Sequence, residues 1–127
     1  MLMEKMKFDL WLYVLVLGTD PLRIFLSKEG LARLSTKNYE QVSNENLSDN
    51  TMHLTNYSIN KHSDKFQPNR AAILDSSGHK RSLKFALKYL EKCEKMDSEK
   101  LMEEIKDIVI KTMISGQPTL ASFFKKC

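Results

Sequence analysis

Residues 7–26, KFDLWLYVLVLGTDPLRIFL, carry the reading that decides the fold. Residues 7–17 are rich in aromatic and β-branched types, GTDP at 18–21 is a turn signal, and LRIFL then resumes the apolar pattern. The pattern predicts two strands joined as a hairpin. Because side chains alternate across a strand, Lys7, Asp9, Trp11 and Tyr13 fall on one face and Phe8, Leu10, Leu12 and Val14 on the other. The second face belongs to a core, and the first is free to line a site. The apolar run at 10–17 is too short to span a bilayer, which takes about 20 residues. The leading segment MLMEKMKFD balances Glu4 and Asp9 against Lys5 and Lys7, so it lacks the basic start of a signal peptide.

Outward from the hairpin, residues 35–50 and 64–78 are polar and unpatterned and read as loops. The back half is helical. In residues 82–95, Leu83, Ala86, Leu87 and Leu90 recur at the spacing of one buried helix face, with Lys84, Lys88 and Lys92 as a basic stripe on the other side. A second helix has Asp97 or Ser98 to cap its start, a buried stripe of Leu101, Ile105, Ile108 and Val109, and Gly116 with Pro118 as its stop. The fold class is therefore α/β of the α+β kind, with antiparallel strands first and two amphipathic helices second. At 127 residues the chain suits one compact unit. A formal charge of +4 and a pI near 9.0 favour acidic partners without choosing among them. Cys93 and Cys127 form no CxxC pair and suggest neither a disulfide framework nor a metal site, which fits a reducing compartment.

Several side chains carry chemistry worth weighing against their bland readings. Lys7 and Asp9, two apart on one strand face, can offer a cation and an acceptor to one ligand, or can be solvated edge charges. Arg33 has the planar fork that holds a carboxylate through two parallel hydrogen bonds. Thr55 and Asn56 supply donors and acceptors, or simply an Asx or Thr turn. Tyr57, Ser58 and Lys80 together offer a charge and two hydroxyls. His53 has no carboxylate or nucleophile spaced to act with it and reads as a hydrogen-bonded structural histidine.

A further pattern runs through the chain. MHLTNYSINK at 52–61, with KFDL at 7–10, YVLV at 13–16, DPLRIFL at 20–26, KEGLAR at 28–33 and DIVIKTMIS at 107–115, resembles in the same order the tubulin tyrosine ligase-like family, in particular its polyglutamylase branch. The resemblance implies an ATP-grasp enzyme that phosphorylates a glutamate carboxylate of a tubulin tail and lets the amine of free glutamate attack the acyl phosphate. It implies ATP contacts for Lys7, Asp9, Thr55 and Asn56, and contact with the added or accepting amino acid for Arg33. It assigns the glutamate substrate to Tyr57, Ser58 and Lys80, with Arg81 easily mistaken for Lys80. The expected cofactors are ATP and Mg²⁺. The expected partners are acidic tubulin tails, microtubules and free glutamate, not nucleic acid or membrane. The expected setting is the cytoplasm and cytoskeleton, with cilium, axoneme and basal body included. The pattern is departed from twice. The metal-binding carboxylates of the family have no counterpart in residues 1–127, so the chain is expected to be a central fragment of the catalytic domain and inactive by itself. KFDLR reads KFDLW, so Trp11 fills an arginine slot, a change expected to cost activity unless Arg23 or Arg33 reaches into the space. The alternative is a degenerate module that binds tubulin tails or nucleotide without transferring anything.

Overall fold

The structure, a computed structural model, describes residues 1–69 and 78–124. Residues 70–77 of the expected loop and Cys127 lie outside them. The hairpin forms as the pattern predicts but is longer. Strand β1 (Met6–Thr19) turns at a cis Asp20–Pro21 peptide into β2 (Leu22–Asn38), to which it pairs antiparallel. A short β3 (Lys80–Ser82) pairs with the other edge of β2. The order is β1-β2-β3, so β2 is the central strand and the apolar run at 10–17 lies on an edge strand, not in the middle of the sheet.

Two expectations from local pattern fail along this hairpin. Residues 35–38, read as loop, complete β2, and Ser35 and Thr36 are buried there because partners absorb their polar groups. Beyond Leu12 the register shifts, and Val14, assigned to the core face, is exposed. Tyr13 and Leu15 are exposed as well, so this stretch of the hairpin stands clear of the core on both faces.

The loops between the hairpin and β3 contain two single-turn helices, α1 (Asn50–His53) and α2 (Tyr57–Asn60). Helix α3 (Leu83–Glu94) follows β3 directly. Ser82 caps it by accepting a hydrogen bond from the Phe85 amide at 3.0 Å, and Lys95 ends it in the left-handed conformation. Its Leu83, Ala86 and Leu90 are buried as the spacing predicts, and Lys84, Lys88 and Lys92 are exposed. The core gathers Met3, Ala32, Leu34 and Ala86, with Phe8, Leu10 and Tyr89 packed against it. One sheet face thus meets α3.

Helix α4 (Ser98–Phe124) starts where Asp97 accepts from the Lys100 amide at 3.0 Å. It runs through Gly116 and Pro118, the expected stop, to Phe124. The stripe assigned to burial is not buried either. Leu101, Ile105 and Val109 are half-buried and Ile108 is 62% exposed. The helix makes few contacts with the rest of the described residues, so its periodicity has no surface to be buried against. Near its end, a cavity of about 670 Å³ between Leu120, Ala121 and the hairpin tip is lined mostly by apolar side chains and lies far along the hairpin from the charged residues below.

Gly30 sets how closely the hairpin strands approach. A Cβ there would lie 2.6 Å from the Trp11 carbonyl oxygen, and a backbone atom has nowhere to go. Gly30→Ala is expected to destabilise the fold by about 1–3 kcal/mol through overpacking. A urea midpoint equal to that of the parent chain would contradict this.

Candidate functional site

At the open end of the hairpin, three charged side chains share one rung of the sheet. Asp9 on β1 is paired with Arg33 on β2, and Arg33 is paired with Lys80 on β3. Directly paired residues point to the same face, so the register itself aligns one anion and two cations, with Arg33 in the middle. Ala32 and Leu34, on either side of Arg33, point into the core.

Arg33 is held on two sides. Its Nε donates to Asp9 Oδ1 at 3.1 Å and its Nη2 donates to Asp9 Oδ2. Its Cζ sits 4.0 Å from the centre of the Trp11 ring. The arginine that reaches Trp11 is therefore Arg33, while Arg23 is paired with Gly18 near the hairpin tip. Burial opposes ionisation of Asp9, but the Arg33 hydrogen bonds, followed by the Thr55 hydroxyl, the Arg33 charge and Trp11, outweigh it and hold the carboxyl below its usual pKa.

Beside this rung lies a small cleft of about 10 Å³, room for a single water, lined by Arg33, Thr55, Tyr57 and Lys80, with His79 and Phe66 at its wall. Lys80 Nζ lies 4.5 Å from the centre of the Tyr57 ring. With Asp9, hydrogen-bonded to Arg33 and Thr55, five of the residues singled out in the sequence thus meet. Lys7, Asn56 and Ser58 do not. Lys7 turns its amine toward Tyr39, 5.3 Å from the ring centre, and Asn56 and Ser58 are exposed on the short α2 segment. Asn56 is the residue before α2 and makes no side-chain cap. Arg81, the neighbour confusable with Lys80, is buried away from the cleft, donating to the Gly78 carbonyl and to Glu4 at 3.3 Å. His53 donates from Nε2 to the Asn46 carbonyl, 2.9 Å away, and packs edge-on to Tyr39, a structural position.

Two further residues line this site, Asn60 and His79, and a third, Asp49, braces the segment before it; sequence reasoning passed over them. Asn60, 1% exposed, uses its whole amide. Its Oδ1 accepts from the Thr36 amide and hydroxyl, both at 2.9 Å, and its Nδ2 donates to the Leu54 and Asn56 carbonyls at 2.8 and 3.1 Å. That fixes residues 54–60 against β2. Asp49 caps α1, and its carboxyl is pulled down to about 2 by the Lys37 ammonium at 2.6 Å and by Thr51. His79 accepts at Nδ1 from the Gln67 amide at 3.0 Å and stacks on Phe66. Its pKa is lowered, chiefly by burial and also by the Arg81 charge. Asn60 was visible as the last Asn of LTNYSIN, but a polar residue five positions past a turn reads as loop until its partner strand is known.

The charged groups around the cleft favour an anion, although the space between them must open to admit one. Lys80 presents an ammonium, and the N–H groups of Arg33 that Asp9 does not use remain available. It does not suit Mg²⁺, which needs carboxylate oxygens free to coordinate, because the one carboxylate at the rung is committed to Arg33. Among the described residues no group of three or more His, Cys, Asp or Glu could hold a metal ion.

Residues 1–126 match the tubulin-tyrosine ligase family. Over 126 residues, 99% of the chain, the sequence is 48% identical to a probable beta-tubulin polyglutamylase of Tetrahymena thermophila, of which the match covers 10%. It is 41% identical to a tubulin polyglutamylase of Xenopus tropicalis and 44% identical to one of Homo sapiens, with 99% of the chain and 13% and 14% of those proteins covered. The chain therefore spans about a tenth to a seventh of the length of these relatives.

Two measurements check the site's framework. Asn60→Leu leaves the Thr36 hydroxyl and the Leu54 carbonyl without partners, and at about 1–3 kcal/mol for each buried orphan it is expected to cost at least about 2 kcal/mol. Denaturation at an unchanged midpoint would sink that claim. Because the folded His79 holds its proton less tightly than the unfolded one, its contribution is complete above about pH 6.5 and is lost as pH falls toward the lowered folded value. His79→Gln should flatten the stability profile between pH 6.5 and 5, whereas an identical slope in parent and variant would show that another group titrates there.

Proposed function

This chain belongs to the tubulin-tyrosine ligase family, with the mixed α+β, ATP-grasp-like architecture that goes with it, and on that premise we propose that it forms the central part of a tubulin polyglutamylase catalytic domain. The reaction is ATP-dependent addition of glutamate to a glutamate side chain of an acidic tubulin tail. The γ-phosphoryl group of ATP passes to a carboxylate oxygen of the acceptor, and ADP leaves. The amine of free glutamate then attacks the acyl carbon, forming an amide bond as inorganic phosphate departs and the nitrogen loses its proton. Metal coordination is left to residues outside the rung described above.

The observation that supports this reading is the cluster of Arg33, Thr55, Tyr57 and Lys80 in one cleft. Both substrates and the intermediate are anionic. Fixed cations and hydroxyl donors in a partly desolvated cleft stabilise such charge without reorganising during the reaction. In this reading Arg33 binds a substrate carboxylate, Lys80 with Tyr57 and Ser58 receives free glutamate, and Lys7, Asp9, Thr55 and Asn56 serve the nucleotide. The named relatives, two of them polyglutamylases of vertebrates and one a probable enzyme of a ciliate, agree in substrate. Their tubulin substrate supports a place on microtubules, for which we propose the cytoskeleton of the cytoplasm, cilia, axonemes and basal bodies included. No helix among the described residues is long and apolar enough to cross a membrane.

A chimera tests the proposal directly, with residues 1–126 replacing the matched segment of the Tetrahymena relative. It should incorporate labelled glutamate into tubulin, and far less into tubulin stripped of its acidic tails. Arg33→Leu and Lys80→Leu should each lower the rate by about 10²–10³, as loss of one fixed electrostatic stabiliser does. Full activity with both residues replaced would remove this cleft from the chemistry.

A further inference from the structure

Trp11 lies on the face of β1 that carries Asp9, where the resemblance implied an arginine. Its surroundings give it a task. The indole lies on the same face as Asp9, one step along β1, and its ring faces the Arg33 guanidinium at 4.0 Å. Asp9 meets the same guanidinium edge-on through Nε and Nη2. A plane bounded by a carboxylate along one edge and an aromatic ring against one face has lost the rotations that a free arginine side chain keeps. Three N–H bonds of the five that a guanidinium carries remain for a ligand. They lie on the part of the fork not used by Asp9, and Arg33 lines the cleft shared with Lys80.

We propose that Trp11 is a positioning residue that stacks on Arg33 and, with Asp9, pre-orients its guanidinium for a carboxylate of the substrate. The inference rests on the reading of Arg33 as a carboxylate-binding group. It reverses the expectation that Trp11 is a defect. An arginine at position 11 would set a second guanidinium beside the first, with Asp9 the one carboxylate on that rung to share between them. Like charges at that spacing repel, whereas an indole attracts the cation through its negative ring face. The arrangement also differs from a merely structural contact in one respect. Trp11 is 47% exposed and stands apart from the core cluster of Met3, Ala32, Leu34 and Ala86, so its removal leaves that packing in place.

The test has two arms that fail separately. Trp11 is the single tryptophan of the chain, so its emission reports the stack without interference. In the full chain, Arg33→Met should make Trp11 more accessible to acrylamide quenching, with far-ultraviolet circular dichroism unchanged. Equal quenching in parent and variant would overturn the stack. In the chimera described above, Arg33→Lys should raise KM for free glutamate or for tubulin, and Trp11→Leu should raise the same KM by about three- to tenfold, as loss of one cation–π contact predicts. Trp11→Phe should retain the parent KM because it keeps a ring face. Should Arg33→Lys leave both KM values unchanged, the carboxylate reading of Arg33 fails while the quenching arm still decides the stack. Should Arg33→Lys raise KM but Trp11→Leu not, positioning by Trp11 is wrong and the Arg33 reading stands. Trp11→Arg with kinetics equal to or better than the parent would also overturn the proposal.

Discussion

The amide of Asn60 is the tie on which the site depends. It is buried, and every donor and acceptor it owns is used, two on Thr36 of the central strand and two on the carbonyls of Leu54 and Asn56. A buried amide with four good partners is stable only in one arrangement, because any shift of the loop leaves a polar group unpaired at a cost of about 1–3 kcal/mol. Residues 54–60 form just one helical turn and cannot hold a shape by helix propensity. Their position is borrowed from β2. Thr55 and Tyr57 face the Arg33 rung for that reason, and the loop carries function on a scaffold that is rigid elsewhere.

The sheet contributes the complementary half of the arrangement. Register does what no local motif can, since Asp9, Arg33 and Lys80 come from three separate parts of the chain and are brought to one rung by strand pairing. Once there, Asp9 serves Arg33 and is unavailable to a metal. The neighbouring Arg81 points the other way across the sheet and closes the core near Glu4, so adjacent cations on one short strand have opposite duties.

Much of this could be read from residue order. The hairpin followed from the GTDP turn between two apolar runs, and α3 followed from Leu83, Ala86 and Leu90, because both patterns depend only on neighbours in sequence. The end of β2 did not. Ser35 and Thr36 look like loop residues until Asn60 satisfies Thr36 from another segment. Helix α4 passes through Gly116 and Pro118 although an interior proline costs about 3 kcal/mol, and the packing of this exposed helix gives no reason for it. Of the candidate site, Asp9, Arg33, Thr55, Tyr57 and Lys80 were singled out in the sequence, whereas the places of Asn60 and His79 and the Trp11 stack exist only through tertiary contacts.

The position of β3 in the chain has a kinetic meaning. Strands β1 and β2 are consecutive, long and joined by a tight turn, so their pairing closes a short loop and forms early. Strand β3 has three residues and pairs with β2 across a wide sequence gap. Its pairing closes a long loop, and the buried His79, Arg81 and Leu83 hold it in place once formed. Lys80 rides on it. The cleft is therefore complete only when both pairings of β2, one local and one across a wide sequence gap, are made.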